Sequence, residues 1–146
     1  MPPGRHERTC AVTDAIVKAR GLIEDERLED AERTLRSEVE SSPENWDAWF
    51  YLGVTLHQLR RYEEAMHAHT RAAESSRYRL QALYNLALTQ TQAGDHEGAL
   101  ETLGLVREAG YADVDQLRTD PDLDPLRSEA RFQDLLRSMQ NEGEVG

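Results

Sequence analysis

One interval constrains this chain more than any other property. Ala31, Ala65 and Ala99 lie 34 residues apart, and the same step carries Trp49 to Leu83, Leu52 to Leu86 and Gly53 to Ala87. Taken backwards it carries Leu56 to Leu22, Gly53 to Ala19 and Trp49 to Ala15, so a first copy keeps small or apolar character without the large ring. A unit of this length has room for two short helices, too thin to hide their own apolar sides. Such units gain a continuous core only when copies stack, and terminal copies depart from the pattern because one side faces water.

Within each copy the apolar residues recur at steps of three and four, the spacing of one helical face. Trp46, Trp49, Phe50, Leu52, Gly53, Leu56 and Leu59 mark the first helix of the middle copy. Arg60, Arg61 and Tyr62 interrupt it, and a second helix follows whose contact side is built from Ala65, Met66, Ala68, Ala72 and Ala73. Glycine is a poor helix former by roughly 1 kcal/mol relative to alanine, so Gly53 inside a helix implies a close approach. The first copy reads as Val12 to Ile23, then Leu28 to Val39, ending at Ser41-Ser42-Pro43 because proline lacks an amide and restricts the residue before it. The third has Leu83, Leu86 and Ala87, a turn at Gly94-Asp95, then Ala99, Leu100, Leu103 and Val106.

Beyond Tyr111 the period fails. Val114 and Leu117 suit a short helix, and Asp120-Pro121 and Asp124-Pro125 each set a capping residue before a proline, predicting short helical turns that carry Leu123 and Leu126. Ser128 is the expected cap of a last helix presenting Phe132, Leu135, Leu136 and Met139 on one face, a cover for the third copy. The expected organisation is a flexible segment 1–10, a repeat domain 11–140 with copies at about 12–45, 46–79 and 80–113 and a cap at 114–140, and a flexible tail 141–146.

Trp49, Leu52, Gly53 and Leu56, then Ala65 and Ala72, resemble the signature of the tetratricopeptide repeat family. The resemblance implies an all-α, right-handed superhelical solenoid of antiparallel helix pairs, with Gly53 facing Ala65. His69, Gln90 and Arg77 depart from the family pattern, where a bulky apolar residue, a leucine and a proline would be usual. The first helix of each unit lines the concave wall in the family. By that resemblance the groove residues are Ile16, Arg20 and Ile23; Asp47, Phe50, Tyr51, Val54 and His57; and Gln81, Tyr84, Asn85, Leu88 and Gln92. Aromatic rings such as Phe50, Tyr51 and Tyr84 supply contact area at low entropic cost, and Gln81 and Asn85 can pair with a peptide backbone. The bland alternative packs these rings into the solenoid or under the C-terminal segment. The lysine, asparagine and arginine clamp with which some family members hold a chaperone's terminal carboxylate is not reproduced by Ile16, Arg20, Tyr51, Gln81 and Asn85.

The function expected is a protein-interaction module that binds a peptide or helix with apolar or aromatic anchors, the alternative being self-assembly into a homo-oligomer. The net charge of −11 argues against nucleic acid and against an anionic membrane surface, and no apolar run has the length of a span. With Cys10 the only cysteine, no disulfide closes within the chain and a cytoplasmic setting fits. No cofactor, metal or catalysis is expected. Asp120, Asp122 and Asp124 alternate as in a calcium loop, but Pro125 takes the place of its glycine and Arg131 that of its glutamate. His67 and His69 point to different sides of a helix without further zinc ligands, and Cys10 with His6 has no scaffold to fix a nucleophile and its base.

Overall fold

The computed structural model describes the backbone of residues 4–111 and 113–145 and the side chains of residues 14–111 and 113–142. Six helices form three antiparallel pairs: α1 (Gly4–Glu24) with α2 (Leu28–Ser41), α3 (Trp46–Gln58) with α4 (Tyr62–Ala72), and α5 (Arg79–Gln92) with α6 (His96–Glu108). A short α7 (Val114–Thr119), a 3-10 turn (Pro121–Leu126) and α8 (Ala130–Val145) follow, and the described residues contain no strand. The second helices start at Leu28, Tyr62 and His96, which reproduces the 34-residue step. So does the turn before them: Glu26, Arg60 and Gly94 all hold a left-handed backbone, at φ 60°, 62° and 88°.

Adjacent pairs stack through α2 on α3 and α4 on α5, while α3 also touches α1 on one side and α5 on the other. That closer approach makes the first helices the inner wall of a solenoid. Each pair lends apolar side chains to its neighbour, so Leu35 and Val39 of α2 share a cluster with Leu52, Leu56 and Ala68 of the middle pair. The second cluster joins α5 and α6 to the C-terminal segment through Leu103, Val106, Leu117, Leu123, Leu126 and Phe132. Polar ties reinforce the stacking. Glu32 of α2 accepts from Arg36 at 2.7 Å and from Arg61, at the start of α4, at 2.5 Å. Burial works against ionisation of Glu32, but the two guanidinium partners outweigh it and its pKa lies below the usual value. Trp49 donates its indole N–H to the Pro43 carbonyl at 2.8 Å, and the Arg71 guanidinium lies over both Trp46 and Trp49.

Several expectations are corrected. Helix α1 begins at Gly4, within the stretch read as non-helical, and α8 runs through Val145 into the expected tail; residues 1–3 and Gly146 lie outside the described residues. The last helix opens at Ala130, which puts Ser128 too far upstream to be its cap. The neighbour that demands Gly53 is His69 rather than Ala65: a Cβ at position 53 would stand 2.6 Å from the His69 ring carbon Cε1. The imidazole therefore occupies room that only glycine leaves. It is 1% exposed, neither ring nitrogen has a partner, and burial, then the nearby His57, depresses its pKa from 6.5 to about 3.

Candidate functional site

The inner wall divides into an open stretch and a covered one. In the open stretch, aromatic and cationic side chains form a row across three elements. The Arg20 guanidinium of α1 lies over the Tyr51 ring at 5.9 Å, and Tyr51 meets Phe50 edge to face at 5.3 Å. Phe50 stacks on Tyr78 at 4.8 Å, and Arg77 lies over the other end at 5.4 Å from the Tyr78 ring centre. The Tyr78 hydroxyl donates to the Asp47 carboxylate, and burial together with that bond pushes its pKa up to about 12. A hollow of about 840 Å³ adjoins this end, lined by Pro43, Asn45, Trp46, Asp47, Ser75 and Tyr78 among others.

Tyr78 was absent from the sequence-based groove, and the reason is positional. It precedes α5, in the irregular turn Ala73–Tyr78, where helical periodicity gives no direction for a side chain. The available signal was an aromatic residue beside Arg77, at the point where the repeat pattern itself departs.

In the covered stretch the chain folds back on its own wall. The 3-10 turn packs on α5. Tyr84 donates its hydroxyl to Asp120 at 2.6 Å and stacks on Tyr111 at 5.3 Å; it is 7% exposed, and burial with the Asp120 charge holds its pKa well above the ordinary value. Gln92 donates to the Asp122 carbonyl at 2.9 Å. His57 Nδ1 is 2.8 Å from the Thr89 hydroxyl, which also lies 2.9 Å from the Asn85 carbonyl. Its Nε2 faces Asp122 at 3.9 Å, and burial lowers the pKa of the imidazole despite the neighbouring carboxylates. Arg127 reaches the backbone carbonyls of Leu117, Arg118 and Asp120, which ties the segment down.

The expected groove residues are thus distributed unevenly. Arg20 and Gln81 are exposed, and Ile23, Asp47, Phe50, Tyr51, Val54, His57, Asn85, Leu88 and Gln92 are half-buried. Ile16 and Tyr84 are buried, which corrects the expectation that they stand open on the wall: Ile16 belongs to the first apolar cluster, and Tyr84 lies beneath the residues that follow α7. The three aspartates set aside as a calcium loop have separate partners: Asp120 accepts from the Asp122 amide at 3.0 Å, Asp122 faces His57 at 3.9 Å, and Asp124 pairs with Arg127 at 2.8 Å. His67 meets the Trp49 ring edge at 5.7 Å, away from buried His69. Cys10 and His6 lie outside the residues whose side chains are described. Among the described residues no group of three His, Cys, Asp or Glu side chains converges, and no helix is long and apolar enough to cross a membrane.

Residues 16–79 match the family model described as Tetratricopeptide repeat. Among solved structures, the type III secretion translocator chaperone SycD of Yersinia enterocolitica superposes with a TM-score of 0.66 and 16% identity, over 93% of this chain and 88% of that one. SycD in complex with a peptide of the translocator YopD gives 0.66 and 16% over 91% and 95%, and an alternative dimer of SycD gives 0.64 and 16% over 91% and 94%. Identity at this level carries the fold alone. No curated protein sequence matches the chain.

Proposed function

This chain is a tetratricopeptide repeat protein, and from that premise we propose that it is a protein-interaction module whose open inner wall takes a peptide or helix with apolar or aromatic anchors. The observation that carries the proposal is the row Tyr51, Phe50 and Tyr78: three adjoining rings, two of them from α3, left half-buried on the open stretch of the wall. Large rings held rigid by stacking are what interface anchors require, because little side-chain freedom remains to be lost on binding. SycD, which shares the fold, has been seen with a translocator peptide, and that supports a peptide-sized occupant here. In this reading residues 11–140 form the binding domain, and Ile16 and Tyr84 shape the wall from beneath.

The test is a photo-crosslinking amino acid placed at Val54 on the inner wall or at Met66 on the outer helix, followed by recovery of adducts from an extract of the native cells. Adducts from position 54 that vanish in a Phe50→Ala/Tyr51→Ala background, with the helical circular-dichroism signal unchanged, are expected. Equal adducts from both positions, or adducts indifferent to the two alanines, overturn the proposal.

Self-association is the second reading, favoured by Val17, which is 61% exposed on α1. Light scattering across a dilution series separates the two, and a monomer at every concentration removes the second.

A further inference from the structure

The row of rings ends at both sides in an arginine that pairs with no carboxylate among the described residues. The chain carries 28 acidic residues against 17 lysines and arginines, so a described arginine usually finds an acid: Arg27, Arg36, Arg61, Arg71, Arg107 and Arg131 all do. Among the described residues Arg20 and Arg77 have no such pair, and each instead lies over a terminal ring of the row. Lys18, Arg60 and Arg79 are also without an acid, but none is placed over a ring. A guanidinium held over a ring without a carboxylate still has N–H donors to offer, and a carboxylate is the group its fork takes best. Asp47, bonded to Tyr78, and Glu44 line the hollow that adjoins the Arg77 end, so that end carries acids of its own while Arg77 pairs with neither.

We propose that the open groove selects a protein segment in which an apolar or aromatic anchor is flanked on both sides by acidic residues. The anchor lies on Phe50 and Tyr51, and the acids meet Arg20 at one end and Arg77 at the other. The selection rests on the reading of this wall as a peptide site, and it adds the charge pattern of the occupant. A single nucleic-acid strand also combines flat rings with anions, but it carries a charge at every nucleotide, so the net charge of −11 opposes it along its whole length and opposes a segment with acids only at the two arginines less.

Phage-displayed random 12-residue peptides are selected on the intact chain, with the Phe50→Ala/Tyr51→Ala variant as counter-selection. Enriched peptides are expected to carry Asp or Glu on both sides of an aromatic or aliphatic anchor. Their affinity, read by fluorescence polarisation, is expected to fall at least about tenfold in an Arg20→Glu/Arg77→Glu variant of unchanged circular dichroism and less than about twofold in Arg60→Glu, and to weaken with added salt. Enrichment of neutral or basic flanks, or indifference to the double charge reversal, overturns the inference and leaves the peptide-binding reading standing. No enrichment over the counter-selection variant overturns both. A fluorescent 12-nucleotide oligo(dT) that binds more tightly than the selected peptides overturns the inference in favour of nucleic acid.

Discussion

Phe50 and Tyr84 stand one repeat apart on the same face of the solenoid, and their surroundings begin alike. Each ring stacks on a tyrosine from the turn that follows the next helix, Tyr78 in one case and Tyr111 in the other. Each stack is pinned by a hydroxyl bonded to an aspartate, Tyr78 to Asp47 and Tyr84 to Asp120. The difference lies in what comes next along the chain. After Tyr78 a regular helix carries on the solenoid, and Phe50 stays half-open. After Tyr111 the chain turns through Leu123 and Leu126, both fully buried, and closes over Tyr84. An inner wall of one design is therefore an open surface or an internal packing surface according to whether the following residues continue the repeat.

This comparison is broken most directly at the two leucines. A flap that opens for a partner would be loosely held, whereas a cap built into the core is not. Truncating a fully buried leucine leaves a cavity and costs about 3 kcal/mol, so Leu123→Ala and Leu126→Ala should each lower the denaturant midpoint strongly. Phe50→Ala, at a half-buried ring, should cost about 1 kcal/mol and act on partner capture instead. Urea titration followed by circular dichroism checks the order. If Leu126→Ala proves milder than Phe50→Ala, the covered half is a displaceable lid.

Both halves hold a histidine that responds to acid, and the one on the open side is shifted further. His69 sits under α3, on the open side of the division, neutral and without a hydrogen-bond partner. Its folded pKa of about 3 lies below the ordinary 6.5, so the unfolded chain takes up the proton first and stability falls as pH drops below about 6.5. Between pH 7 and pH 5 the loss from this group is about 2 kcal/mol, in a range where most carboxylates stay ionised. The depressed pKa of His57 acts in the same direction. His69→Leu should raise stability at pH 7, since two unpaired buried nitrogens are removed, and should flatten the pH 7 to 5 slope by about that amount. Denaturant midpoints at several pH values measure it, and an unchanged slope would show that the imidazole is hydrated or paired in solution.

How much of this was legible depends on the range of the signal. The 34-residue step, carried by Ala31, Ala65 and Ala99, is a local pattern repeated, and it fixed the helix pairs and their stacking. Asp120-Pro121 gave the start of the 3-10 turn for the same reason, because caps and prolines act within a few residues, whereas Asp124-Pro125 lies inside that turn and opens no second one. The split of the inner wall was not legible. Whether Tyr84 is open depends on Asp120, 36 residues further on, and no periodicity links them. The partner of Gly53 was missed because the family pattern puts a bulky apolar side chain where His69 stands, and a buried imidazole gives no sequence signal of its own. Tyr78 escaped because its direction is set by Phe50 and Asp47 across a turn.

The smallest predicted effect compares the turns inside the two halves. Arg60 turns the open repeat and Gly94 the covered one, at φ 62° and 88°, so the same left-handed backbone is held by a side chain that resists it and by a residue that does not. For a residue with a Cβ that conformation costs about 1 kcal/mol, partly offset by the greater freedom glycine has in the unfolded chain. Arg60 is exposed and makes no ion pair among the described residues, so nothing else is lost with its side chain. Arg60→Gly should therefore stabilise by about 0.5 kcal/mol and Gly94→Arg should destabilise by about 1 kcal/mol, each read as a shift in urea midpoint at constant slope. A gain in the first and a loss in the second would show that the two repeats share a turn as well as a period. If Arg60→Gly destabilises instead, the Arg60 side chain holds a contact in solution that sets the open repeat's turn apart from the covered one's.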